Sequence, residues 1–205
     1  GGLQADNVYE YVLTTAYDIS TATLNNTKTV HVLATHGGGD KLIPTQVVFN
    51  NDGTKMFIAD HGSDNIDYWS LTTAFDISTA THDGAFSISG QEARANSVAF
   101  NNDGTRMFVV GAGNMSQHRI HEYSLAKPFD LSSTVTHLNT EDLSSTHDYI
   151  DGVTFNYNGT KMYTIRSELE DDNHISQFKL TTPYDVSTLS LEGTFDVSSL
   201  VAGSD

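Results

Sequence analysis

Ten side chains in the irregular stretches of the chain belong to types that bind or transform ligands. They are His36, Asp40, His61, Glu92, Arg94, His118, Arg119, His147, Asp148 and His174. Imidazoles and carboxylates hold metals and move protons, and a guanidinium holds anions. Spacing limits what they do. His118 and His121 stand three apart, which on a strand puts them on opposite faces. No His-x-His or His-Glu-x-x-His pattern occurs, so a transition-metal centre needs ligands from separate segments, and no metal ligand or cofactor is assigned. Glu170-Asp171-Asp172-Asn173 lacks the Asp-x-Asp-x-Asp-Gly spacing of a calcium loop and reads as an acidic, solvated loop. There is no Gly-x-Ser-x-Gly nucleophile elbow. His36-Gly37-Gly38-Gly39 lacks the Lys-Ser/Thr of a phosphate loop and reads as a connector. Tyr149 is placed to stack on a sugar ring, although an aromatic at such a rim also serves packing alone.

Composition narrows the partners. Among 205 residues, Asp+Glu number 26 and Lys+Arg 10, for a net charge of −16. Nucleic acid and anionic membrane surfaces, which require clustered positive charge, are excluded as partners. Cys is absent, which removes disulfides, thiol catalysis and cysteine-ligated zinc. No run of about 18 apolar residues exists to span a bilayer. With 38% hydrophobic and 18% charged residues, the chain has the makings of a core and is no charge-rich tail. It opens Gly1-Gly2, which fits a processed chain or a piece of a longer one.

The elements that mount these residues repeat. Val47-Val-Phe-Asn-Asn-Asp-Gly-Thr-Lys-Met-Phe57 returns as Val98-Ala-Phe-Asn-Asn-Asp-Gly-Thr-Arg-Met-Phe108 and as Val153-Thr-Phe-Asn-Tyr-Asn-Gly-Thr-Lys-Met-Tyr163. A second signature occurs four times, as Tyr17-Asp-Ile-Ser20, Phe75-Asp-Ile-Ser78, Phe129-Asp-Leu-Ser132 and Tyr184-Asp-Val-Ser187. Each unit reads as four strands. Ser97–Phe100 enters an Asn-Asn-Asp-Gly hairpin turn, whose residues tolerate positive φ. Met107–Val110 is apolar at both parities, so both of its faces should be buried. Ile66–Leu71 is the third strand, echoed by Val8–Leu13, Ile120–Leu125 and Ile175–Leu180. The fourth alternates in the last unit, with Leu189, Leu191, Phe195 and Val197 expected on one buried face. Helical periodicity is absent.

Four antiparallel strands per fifty-odd residues predict an all-β β-propeller of four-stranded antiparallel blades. A β-sandwich also has many short strands, but it does not need the same hairpin and corner in every unit. One partial propeller domain over 1–205 is expected, with a half-blade at 1–36 and blades at 45–90, 96–144 and 151–199. The half-blade is expected to hold a fourth strand at Thr29–Ala34. Such a chain, about three and a half blades, leaves an open edge and an open face. The expectation is a homodimer that completes a ring or a part of a longer propeller.

The repeat resembles one found in environmental and marine microbial and viral sequences. It is similar, more loosely, to the YVTN, NHL and lactonase-like propellers, in which a Pro-Asp-Gly hairpin stands where this chain has Asn51-Asp52-Gly53. The resemblance covers nearly the whole chain. It implies the blade and leaves the activity open, because the central metal or catalytic residues of the lactonase-like group have no residue-by-residue match here.

In such a blade the first-to-second and third-to-fourth turns share one face of the ring. That face carries the regular pieces, including Asp18, Asp76, Asp130 and Asp185. A ring of calcium ligands is one reading of these aspartates. A turn cap in every blade is the reading the repetition favours. The opposite face carries the irregular loops, and with them the ten residues above. This predicts a non-enzymatic recognition or structural module that takes a protein or carbohydrate ligand, outside the cell or on a cell or virion surface. The alternative is a metal-dependent lactonase-like hydrolase.

Overall fold

A computed structural model describes residues 7–30, 43–113, 117–145, 150–166 and 173–198. Strands β1 (Asn7–Leu13) and β2 (Ala22–Thr29) form a two-stranded sheet, the half-blade. The first blade holds β3 (Pro44–Phe49), β4 (Lys55–Asp60), β5 (Asn65–Leu71) and β6 (Ala80–Ser87). The second holds β7 (Ala95–Phe100), β8 (Arg106–Gly113), β9 (Gln117–Leu125) and β10 (Val135–Asp142). The third holds β11 (Gly152–Phe155), β12 (Lys161–Arg166), β13 (His174–Leu180) and β14 (Leu189–Asp196). Every sheet is antiparallel and pairs strands in chain order. The first strand of each blade packs beside that of the next, β3 on β7 and β7 on β11. The chain is therefore all-β, a β-propeller of about three and a half blades.

One hairpin is built three times. Gly53, Gly104 and Gly159 take φ values of 70°, 70° and 68°. The Asp52 carboxylate accepts from the Thr54 amide at 3.0 Å, and Asp103 accepts from Thr105 at 2.9 Å. Asn158 does the same for Thr160 at 3.2 Å. Asn50, Asn101 and Asn156 brace the far side by accepting from the amides of Lys55, Arg106 and Lys161. The corner of the same blade then locks on. The amides of Phe75, Phe129 and Tyr184 each donate to the hairpin glycine carbonyl at 2.9 Å. Asp18, Asp76, Asp130 and Asp185 each accept from the amide two residues on, at 3.0 to 3.1 Å. The corner aspartates are turn caps, as their repetition predicts.

The core lies between blades. Phe57, Ile66, Val98, Met107, Val109 and Tyr123 interleave where the first blade meets the second. Phe108, Val110, Ile120, Met162 and Phe178 do so where the second meets the third. Met56, Ile58 and Trp69 pack on the half-blade through Val8. Met107 through Val110 are fully buried, so this second strand is covered on both faces as expected. Each such side chain contributes about 1.5–3 kcal/mol through burial.

Two expectations are corrected. The fourth strand of the half-blade runs Ala22–Thr29, and does not begin at Thr29. The corner turn delivers the chain straight into the sheet, as at Ala80 and Leu189, so Thr23, Asn26 and Thr27 pair despite their polarity. The sequence expected one buried face on β14, but the alternation does not mark a single face. The register shifts between Gln177 and Phe178, leaving Glu192 unpaired opposite them. Leu189 and Leu191 pair with Leu180 and Phe178, whereas Phe195 pairs with Ile175 across the bulge and faces the other way. Phe195 is 63% exposed.

Candidate functional site

Four of the ten sequence candidates lie outside the described residues: His36, Asp40, His147 and Asp148. The other six divide. Three converge on Gly111 at the end of β8, on the irregular face. Arg119 is the register partner of Gly111 across β8 and β9. The connector from the first blade to the second brings Glu92 and Arg94 against the same glycine. A Cβ on Gly111 would stand 2.0 Å from the Arg94 carbonyl and 2.5 Å from Glu92 Cγ. Only a bare backbone permits that approach. Arg94 is exposed and Arg119 half-buried, while Glu92 is buried. The Arg119 charge is among the influences holding the Asp142 carboxyl below its usual range, after its hydrogen bonds with Ser144.

His118 pairs with Ala112 one step along the ladder and is buried. His61, in the turn after β4, meets Asn96 Oδ1 through Nδ1 at 2.8 Å. Asn96 in turn donates to the Ile150 carbonyl at 3.0 Å, so this bridge ties three blades together. The neighbouring Asp60 carboxylate accepts from the amides of Ile43 and Gly62 at 2.7 and 2.9 Å. His174 begins β13, opposite Arg166 and Asp196, away from Gly111 in the ladder.

Behind Gly111 runs a line of polar groups whose other members the sequence did not single out. Glu92 Oε1 accepts from the Ala93 amide at 2.9 Å, and Oε2 faces His121 Nε2 at 3.6 Å. Both side chains are 2% exposed. His121 Nδ1 meets Thr140 Oγ1 at 3.0 Å, and Thr140 Oγ1 meets His137 Nε2 at 2.9 Å. The line runs from the exposed His137 to a buried carboxylate in the seam between two blades. Burial pushes the His137 imidazole below its usual range, and the His121 imidazole adds to this. Burial raises the Tyr123 hydroxyl far above its usual range, and the Glu92 carboxylate adds to it.

A positional signal for His121 was available. Counted back from the terminal leucine of each third strand, His121 is equivalent to Asp67 and Ser176. All three are buried polar residues. Asp67 is paired with His82 at 2.8 Å. Among the described residues, no group of three or more His, Asp or Glu lies close enough to hold a metal ion.

No family model matches this chain, and no curated protein does. Solved structures do. An exo-β-1,3-galactanase from Phanerochaete chrysosporium, solved with galactose, superposes with a TM-score of 0.61 at 13% identity, covering 95% of this chain and 45% of that one. A 6-phosphogluconolactonase-like protein from Bacteroides uniformis gives 0.58 at 14% identity, over 91% of this chain and 50% of that one. A periplasmic gluconolactonase from Pseudomonas aeruginosa gives 0.54 at 12% identity, over 93% and 50%. At these identities the likeness is one of fold. The chain spans about half the length of these structures. No helix among the described residues is long and apolar enough to cross a membrane.

Proposed function

We propose that the chain is a recognition module that binds a polar ligand of carbohydrate or peptide type on its irregular face, around Gly111. The observation that supports this most is the meeting at that glycine of the Glu92 side chain, the Arg94 backbone and the register position of Arg119. In a chain of net charge −16, two arginines stand at one bare stretch of backbone, Arg94 through its carbonyl and Arg119 across the ladder. Three near-identical hairpins hold unlike loops on the other side, the usual division between scaffold and binding surface. The resemblance to microbial and viral repeats favours a place outside the cell or on a cell or virion surface. Binding of a glycan or peptide array by the wild-type chain, lost in Arg94→Ala/Arg119→Ala, tests the reading.

A second reading, a lactonase-like hydrolase, is favoured by one arrangement. Thr140, His121 and Glu92 follow the order of hydroxyl, base and orienting carboxylate. The two lactonase-type structures that superpose on the chain agree with it at the level of fold. Hydrolysis of lactones by the purified chain separates the two. Turnover that Glu92→Gln abolishes favours the hydrolase.

A further inference from the structure

All four third-to-fourth strand pairs carry the same bulge, with its extra residue on the fourth strand. The register shifts between Glu10 and Tyr11, Tyr68 and Trp69, Glu122 and Tyr123, and Gln177 and Phe178. This fixes equivalent positions in every blade. Two contacts between neighbouring blades then recur, each at two of the junctions.

The first contact runs from the fourth strand of one blade to the third strand of the next. Lys28 of the half-blade lies over Trp69, 5.8 Å from the ring centroid. Phe86 of the first blade meets Tyr123 edge-on, with centroids 5.8 Å apart at 85°. Lys28, Phe86 and Phe195 occupy the same place in the ladder, opposite Val8, Ile66 and Ile175. Trp69 and Tyr123 are equivalent to Tyr11.

The second contact joins a third strand to the corner turn of the next blade. Glu10 Oε2 accepts from the Ile77 amide at 2.9 Å, and Glu122 Oε2 accepts from the Val186 amide at 3.1 Å. The equivalent acceptor on the third blade is Gln177, and the equivalent turn on the half-blade carries Ile19. Ile77 and Val186 are 2% and 0% exposed, whereas Ile19 is 85% exposed.

The third blade thus presents one half of this repeated interface, and the half-blade presents the other. Tyr11 is 57% exposed and Phe195 63%. We infer that the two faces belong together: the half-blade face of one copy docks on the third-blade face of a second copy. Phe195 receives Tyr11, and Gln177 receives the amide of Ile19. The interface is head-to-tail, so two copies joined at both ends form a closed ring. Two chains also match in length the solved propellers on which one chain covers about half.

Sedimentation of the whole chain and two variants tests this. Wild type is expected as a dimer. Phe195→Asp spoils one face and Tyr11→Asp the other, so each alone is expected as a monomer. Both positions are exposed, and unchanged melting and circular dichroism show that the variants fold. Mixed in equal amounts, the two variants keep one intact pair of faces and are expected to restore a dimer. A monomeric wild type overturns the inference and leaves the faces to further blades of a longer chain. A dimer that survives either substitution, or a mixture that stays monomeric, overturns it as well.

Discussion

The ring of Phe129 occupies the space that a side chain on Gly104 would need. A Cβ built there stands 2.1 Å from the ring, and Gly104 itself has a φ of 70°. The Phe129 amide meanwhile donates to the Gly104 carbonyl at 2.9 Å. Hairpin and corner of one blade are thereby a single rigid piece, and the irregular loops are mounted on three copies of it.

Gly104→Ala is accordingly expected to destabilise the chain by more than the roughly 1–2 kcal/mol of a left-handed non-glycine residue. The excess comes from displacing Phe129. In Gly104→Ala/Phe129→Ala the clash is gone, so the double variant loses less than the two single losses added together. Denaturant unfolding of the three variants measures this. Strict additivity would show that the ring yields freely.

The Asp103 cap carries a pH signature. Hydrogen bonds from Thr105, side chain first and then amide, hold its carboxyl below the usual value of 3.8. A lowered folded pKa contributes stability above the unfolded value and loses it as pH falls through the folded one. Asp103→Ala is therefore expected to cost about 1 kcal/mol at neutral pH. The gap from wild type closes as pH falls well below 3.8. Thermal melts across that range give the answer, and a constant gap would contradict the cap.

His137 is expected to titrate below the ordinary 6.5 of an imidazole. His121→Gln removes one of the two causes, so the His137 midpoint moves upward while burial still holds it below that value. Proton NMR of the imidazole signals follows both. An unmoved midpoint would separate the two rings electrically and break the line from Glu92 to His137.

The blade was legible because its parts are local. Asn50 to Thr54 and Phe75 to Ser78 dictate their turns through positive φ and side-chain caps, and they recur. The buried second strand was legible from its unbroken apolar run. The face of Phe195 was not, because a bulge at Glu192 reverses parity and leaves no mark in the alternation of residue types. The grouping of Glu92, Arg94 and Arg119 was half legible. Their loops were evident, but their meeting at Gly111 depends on the approach of one blade's connector to the next blade's strand. His121 was weighed only as a metal partner of His118, and Thr140 went unnamed, because both lie within regular strands, where polarity reads as solvent exposure.

The proposed recognition of a ligand around Gly111, without its transformation, is tested most directly by pairing binding with turnover on one preparation. Wild-type chain and Arg94→Ala/Arg119→Ala are applied to an array of glycans and peptides, and the same samples are assayed for lactone hydrolysis. A defined bound class is expected, with a loss of at least about tenfold in the double variant from two charge-assisted contacts, and no turnover. Lactone hydrolysis by the wild type that Glu92→Gln abolishes would contradict it.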